Sequence, residues 1–212
     1  MYANVEKGFR RVSAISPGVM GQTGIETSDI INSIIKSIDV DFIIVVDSLA
    51  SKSVERVNKT IQMTDTGIHP GSGIGNKRKE ISKQTIGIEV ISIGVPTVVD
   101  AVTIVSDTIN YMYKHFSYTK ENINKPSNKL VGGGINYLKK DVKVDEKLKN
   151  ELFGVIGKLD DNEIRQLIFE VLTPIGYNLM VTPKEVDFEI EKLSNIIGNG
   201  INRALHKNVD NL

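Results

Sequence analysis

The 212-residue chain contains no cysteine and no tryptophan. Without thiols there is no disulfide, no thiolate nucleophile and no sulfur-ligated zinc, so any chemistry rests on oxygen and nitrogen groups, and a reducing interior is compatible with the composition. An excess of either charge is also missing, since 26 Lys and Arg balance 26 Asp and Glu. This removes the broad positive footprint of a non-specific nucleic-acid binder, and no direct nucleic-acid partner is expected. No apolar run approaches the ~20 residues that a spanning helix needs. The opening Met1-Tyr2-Ala3-Asn4-Val5-Glu6-Lys7-Gly8 lacks the basic-then-apolar order of a secretory signal. Neither a membrane role nor export is expected, and the protein is placed in the cytoplasm.

What remains is an ordinary globular composition, 40% hydrophobic and 25% charged. The length suits one main α/β domain with an appendage. Residues 11–15 read as a short strand, followed by a glycine-rich loop. Thr23 and Glu26 form a capping-box pattern ahead of Ile30, Ile31, Ile34, Ile35 and Ile38, which predicts a helix over 25–38. The β-branched run at 40–46 predicts a parallel strand buried on both faces, with Asp47 just past its end. A short helix at 53–57 and a second strand at 60–63 follow, with Asp65 in the next loop. A third strand at 86–95 is ended by Pro96. Thr97 and Asp100 then start a helix whose stripe runs through Val98, Ala101, Val102, Val105, Ile109, Met112 and Phe116, opposite a polar face that includes Thr103.

Eight of the 31 residues at 120–150 are lysine, and the stretch reads as a solvated connection. Asp160 and Glu163 cap a further helix. Thr182-Pro183-Lys184-Glu185 starts a last helix reaching His206, weakened in the middle by Gly198 and Gly200. The expected organisation is an α/β core over 1–117, an exposed lysine-rich connection over 118–160 and a helical region over 161–207. The expected sheet is mostly parallel and flanked by helices.

The candidate chemistry centres on Asp65, because open α/β sheets place ligands in loops beyond strand ends. The triplet Asp65-Thr66-Gly67 offers a carboxylate, a hydroxyl and a glycine that would let a substrate backbone approach; an Asx-type turn reads the same residues without chemistry. Hydrolysis by carboxylates needs two, one to activate water and one to give a proton. Asp47 is the available partner, or else a strand-end cap. His69 follows Asp65 by four residues, but no third ligand lies nearby in sequence, and no metal or other cofactor is expected. His115 and His206, near helix ends, read as structural. Gly71, Ser72, Gly73 and Gly75, with Lys77, Arg78 and Lys79 behind them, form a loop that would present backbone N–H groups and positive charge to an anion or substrate. It matches neither G-x-x-x-x-G-K-[ST] nor G-x-G-x-x-G, and a flexible basic loop explains it equally.

Longer blocks are more specific. Ser16-Pro17-Gly18-Val19-Met20-Gly21-Gln22-Thr23-Gly24-Ile25-Glu26-Thr27 resembles a hallmark of the germination proteases of spore-forming bacteria. So do Asp65-Thr66-Gly67-Ile68-His69-Pro70-Gly71-Ser72-Gly73-Ile74-Gly75-Asn76-Lys77-Arg78-Lys79-Glu80, Ile93-Gly94-Val95-Pro96-Thr97-Val98-Val99-Asp100-Ala101-Val102, and Asn178-Leu179-Met180-Val181-Thr182-Pro183-Lys184-Glu185-Val186-Asp187. The resemblance implies an aspartate-dependent endopeptidase that degrades small acid-soluble spore proteins in the spore core during germination. It further implies a processed precursor, a homotetramer, and a fold similar to the hydrogenase-maturation proteases. Asp65 matches the later of the family's two aspartates. The earlier one belongs to a segment preceding the Ser-Pro-Gly-Val-Met-Gly block, so the chain is expected to be an inactive C-terminal fragment. An anion-binding or assembly module, and a metal-dependent maturation peptidase using Asp65 and His69, are the rival expectations.

Overall fold

Residues 7–71, 78–125, 142–173 and 179–207 are described by a computed structural model. The first elements are α1 (Met20–Thr23), α2 (Thr27–Ile35), β1 (Phe42–Ser51), a 3₁₀ turn (Val54–Arg56), β2 (Gln62–Thr64), α3 (Lys83–Ile86) and β3 (Glu89–Asp100). They are followed by α4 (Ala101–Asn122), α5 (Glu146–Phe153), a 3₁₀ turn (Ile156–Lys158), α6 (Asp161–Leu172), β4 (Met180–Val181) and α7 (Val186–Leu205). Two units result: Met1–Ala50, Arg56–Thr97 and Thr182–Leu212 form one, Ser51–Glu55 and Val98–Val181 the other.

In the first unit the strands lie in the order β1-β3-β2, and β2 runs antiparallel to β3 with Gln62 opposite Gly94, Met63 opposite Ile93 and Thr64 opposite Ser92. The architecture is α/β, but the mostly parallel sheet does not form: β4 is also antiparallel to β3. A parallel crossover needs a connection of about a dozen residues or more, usually helical. Between β2 and β3 the only described helix is the four-residue α3. The core gathers Ile68, Ile81, Ile86 and Val90, with Ile31 and Ile35 of α2 and Ile43, Val45 and Leu49 of β1 packed against it. Each isoleucine that becomes fully buried, as Ile81 is, contributes about 1.5–3 kcal/mol.

Several sequence expectations shift at the element ends. Residues 11–15 form no strand. Val12 and Ile15 are three apart, so a strand would put them on opposite faces and gain no apolar side; both are exposed. The Thr23 box is not used: Glu26 itself occupies the N-cap of α2, while Thr23 Oγ1 accepts from Ile25 N–H at 3.2 Å. β1 runs on to Ser51, and most of it is half-buried rather than enclosed on both faces. β3 passes through Pro96 to Asp100. Pro96 falls between the stretch paired with β2, which ends at Gly94, and the stretch paired with β4, which begins at Val99, so neither of those pairings calls on its missing N–H. Its carbonyl accepts from Asn58 N–H at 2.7 Å.

Helix α7 starts later than its sequence signal. Thr182 Oγ1 donates to the Thr97 carbonyl at 2.9 Å instead of capping, and Glu185 takes the N-cap without a side-chain bond. Gly198 and Gly200 are carried within the continuous helix. At its end, Lys207 N–H donates to the Gly8 carbonyl (2.8 Å), Arg10 N–H donates to His206 Nδ1 (3.1 Å), and the Phe9 and His206 rings lie 5.3 Å apart.

In the second unit, Asp100 caps α4 by accepting from Thr103 N–H and Thr103 Oγ1, both at 2.8 Å. Thr103, expected on the polar face, is therefore buried. The core is Val102, Tyr113, Ile164 and Ile168, with Phe153 of α5 set edge-on to Tyr113 at 4.7 Å. Tyr113 takes the place expected for Met112, which is partly exposed. Within the lysine-rich stretch, Asp145 caps α5 and meets Lys120 Nζ at 2.8 Å; residues 126–141 lie outside those described. The capping box of α6 forms as read: Asp160 Oδ1 accepts from Asn162 and Glu163 N–H, and Glu163 Oε2 accepts from Asp160 N–H. Asp160→Ala should lower stability by about 1 kcal/mol, measurable as a fall in the urea midpoint at unchanged slope.

Candidate functional site

Asp65 stands directly after β2, as its sequence suggests, and is solvent-exposed with no partner among the described residues. Its loop is held by local bonds. Thr64 Oγ1 accepts from Thr66 N–H at 3.1 Å and shares a 2.7 Å hydrogen bond with Thr66 Oγ1. Gly67 follows with φ +97°, and Ile68 exchanges both backbone hydrogen bonds with Ile81, at 2.9 and 2.8 Å.

The reason for glycine at 67 differs from the sequence expectation. A Cβ there would lie 2.5 Å from Ser82 Cβ and 2.6 Å from the Ile81 carbonyl oxygen. The backbone that approaches Gly67 is the protein's own, and the contact fixes the loop that presents Asp65. His69 remains exposed at the other end of the loop, with Nε2 3.8 Å from Glu80 Oε2, an ion pair when the imidazole is protonated.

A groove of about 270 Å³ opens between residues on either side of Asp65, lined by Leu49, Gln62, Met63, Thr64, Gly67, Ile68, His69, Ser92 and Gly94. Its walls follow from register. Gln62 and Thr64 face the same way as their partners Gly94 and Ser92, and Leu49 lies over Gly94, where an added Cβ would come within 2.1 Å of Leu49 Cδ1. Ser92 is almost fully buried, and its hydroxyl has no hydrogen-bond partner among the described residues. Ser92 went unremarked in the sequence and Gly94 was quoted only within a family block; their signal is two small residues, two positions apart, in an otherwise bulky strand, which leaves a depression in one sheet face. A wider depression of about 490 Å³ lies over the outer face of α6, from Asn162 to Glu170, with side chains from a single helix.

Asp47 lies inside β1, not beyond its end, because β1 continues past it. By alternation it shares a face with Ile43, Val45 and Leu49, the residues that pack on the core. Desolvation there raises its pKa above the ordinary 3.8, opposed by a 2.8 Å hydrogen bond from Ser48 N–H to Oδ1. A carboxyl whose pKa is higher folded than unfolded contributes stability below the unfolded pKa and loses it as pH rises through the folded one. Asp47→Asn should therefore raise the urea midpoint at pH 7, with the gain disappearing below pH 3.8.

Of the proposed anion loop, Gly71 is described, in a turn at φ +70°, while Ser72, Gly73, Gly75 and Lys77 lie outside the described residues. At the basic end, the two described cations already have carboxylate partners. Arg78 Nη1 approaches Glu26 Oε1 at 3.6 Å and also contacts Met20 Sδ, and Lys79 Nζ meets Asp29 Oδ2 at 2.8 Å. Both carboxylates belong to the start of α2, where they also complement the helix dipole. Among the described residues no three His, Asp or Glu side chains are grouped to hold a metal, and no helix is long and apolar enough to cross a membrane.

A family model described as germination protease matches residues 1–212. The chain is 59% identical over 211 residues to the germination protease of Bacillus velezensis, covering 97% of this chain and 57% of that protein. It is 58% identical over 212 residues to that of Bacillus cereus, covering 98% and 58%. The chain thus spans somewhat over half the length of these curated relatives. The expectation of a fragment gains no support from the family match, which takes in every residue.

Proposed function

Because the chain belongs to the germination protease family, we propose that it serves peptide-bond hydrolysis of small acid-soluble spore proteins in the spore core, with Asp65 as a catalytic carboxylate. The observation that carries this reading is an exposed carboxylate, without a partner among the described residues, on a pinned loop whose residues on either side line a groove. Such a carboxylate can take a proton from an attacking water, while a second supplies one to the carbonyl oxygen or leaving amine. Asp47, whose pKa is raised by burial, is the candidate for the second role. It is set back in mid-strand and bonded to its own neighbour, so the chain by itself is a weak catalyst. Activation from a precursor, assembly as a homotetramer and likeness to the hydrogenase-maturation proteases belong to the same proposal and are carried by the family resemblance.

The test is incubation of the chain with a purified small acid-soluble spore protein and with an unrelated protein, followed by mass spectrometry. Slow cleavage confined to the spore protein is expected. Cleavage of both alike would overturn the substrate assignment, rapid turnover would overturn the weak-catalyst reading, and none above a buffer blank would overturn the peptidase reading of this chain. The anion-binding alternative loses ground because Arg78 and Lys79 are already engaged by Glu26 and Asp29.

A further inference from the structure

Ser92 occupies an unusual position in the groove wall. It pairs directly across β3 and β2 with Thr64, and two hydroxyl side chains so placed ordinarily hydrogen-bond one another. Here the Thr64 hydroxyl is turned away, onto the N–H and hydroxyl of Thr66 in the Asp65 loop. Ser92 is left 2% exposed with no partner for its hydroxyl among the described residues. A buried hydroxyl without a partner costs roughly 1–3 kcal/mol, and alanine would fill the same place without that cost. Serine at 92 therefore has a use that the unliganded fold does not supply.

The groove itself indicates the use. Its polar lining is neutral apart from the exposed His69: the Gln62 amide and the Thr64 and Ser92 hydroxyls, set beside the small Gly67 and Gly94. Neutral donors and acceptors in a row along a sheet face suit peptide amide groups better than phosphate or carboxylate. β2 is an outer strand of the order β1-β3-β2, all three of its residues are exposed, and it leads directly into Asp65. An extended segment lying along it would bring a peptide bond to that carboxylate.

We propose that Ser92 is a substrate-binding residue, whose hydroxyl is kept free of internal partners and hydrogen-bonds the main chain of an extended peptide held in the groove beside Asp65. This rests on the peptidase reading. Ser92 engages the peptide by a change of rotamer about its own Cα–Cβ bond, which requires no backbone movement.

The experiment compares wild type, Ser92→Ala and Ser92→Cys for binding of a fluorescent peptide drawn from a small acid-soluble spore protein, and for melting temperature without peptide. Ser92→Ala should weaken binding about fivefold, the worth of one neutral hydrogen bond, and melt no lower than wild type. Ser92→Cys, close in volume and a weaker donor, should fall between the two in affinity. Equal affinity in all three proteins overturns the proposal while leaving the peptidase reading intact. A Ser92→Ala melting temperature several degrees lower also overturns it, because the hydroxyl would then have a structural partner. If wild type binds no peptide, both readings fall together.

Discussion

Asp65→Asn is expected to lower kcat for peptide cleavage by about 10²–10⁴-fold, the usual weight of a positioned general base, which is the role proposed for Asp65. The amide keeps the size and shape of the carboxylate but cannot accept a proton from water. Because the side chain is exposed and has no partner among the described residues, the fold does not depend on it. The variant should match wild type in stability within about 0.5 kcal/mol, and its KM should be nearly unchanged, since a loss confined to the transition state lowers kcat and kcat/KM together. Retained turnover in a correctly folded Asp65→Asn protein would remove Asp65 from the mechanism and turn attention to Asp47 and His69. Asp47→Asn supplies the contrast: it should gain stability at neutral pH while losing activity if its carboxyl is the proton donor.

Gly67→Ala is expected to destabilise the first unit by about 2–4 kcal/mol, combining overpacking against a fixed backbone with the strain of an L residue in a left-handed conformation. The methyl would meet Ser82 Cβ at 2.5 Å and the Ile81 carbonyl oxygen at 2.6 Å. Neither can swing aside as the end of a flexible side chain would, because Ile81 is tied to Ile68 by two backbone hydrogen bonds and Ser82 is fully buried. Relief requires the strand-like pair at 68 and 81 to separate, which carries the Asp65 loop with it. Urea denaturation should show the loss as a lower midpoint, and cleavage should fall even at temperatures where the variant remains folded. A variant as stable as wild type would mean that the loop has room that this packing denies it. The substitution also separates two meanings of the Asp-Thr-Gly triplet: a substrate-approach glycine would affect KM with little effect on stability.

The parts of the fold legible in the sequence were those decided locally. The α6 capping box needs only Asp160 and Glu163 at the right spacing, and both bond as expected. The placement of Asp65 after a strand followed from the break that Asp65 and Gly67 make in the run of β-forming residues. Features set by pairing between distant segments were not legible. Nothing local says that β1 continues through Asp47 and Ser48, because the continuation depends on a neighbouring strand that is itself twelve residues long. Pro96 ends a strand by local rules, yet β3 runs on through it, with neither β2 nor β4 paired opposite it. The glycine at 67 was singled out, yet its cause lay in Ile81 and Ser82, which become neighbours only once the chain folds back. Thr182 illustrates the same conflict, since a strong local helix signal gives way to a hydrogen bond with Thr97, 85 positions earlier in the chain.

The bond between Gly8 and Lys207, reinforced by Arg10 and Phe9 against His206, has a consequence for how this polypeptide can be rewired. Two positions almost two hundred residues apart in sequence are neighbours in space, so a short covalent cross-link between them would tie the intervening chain into one loop. Closing a chain of that length removes much of the freedom it gains on melting.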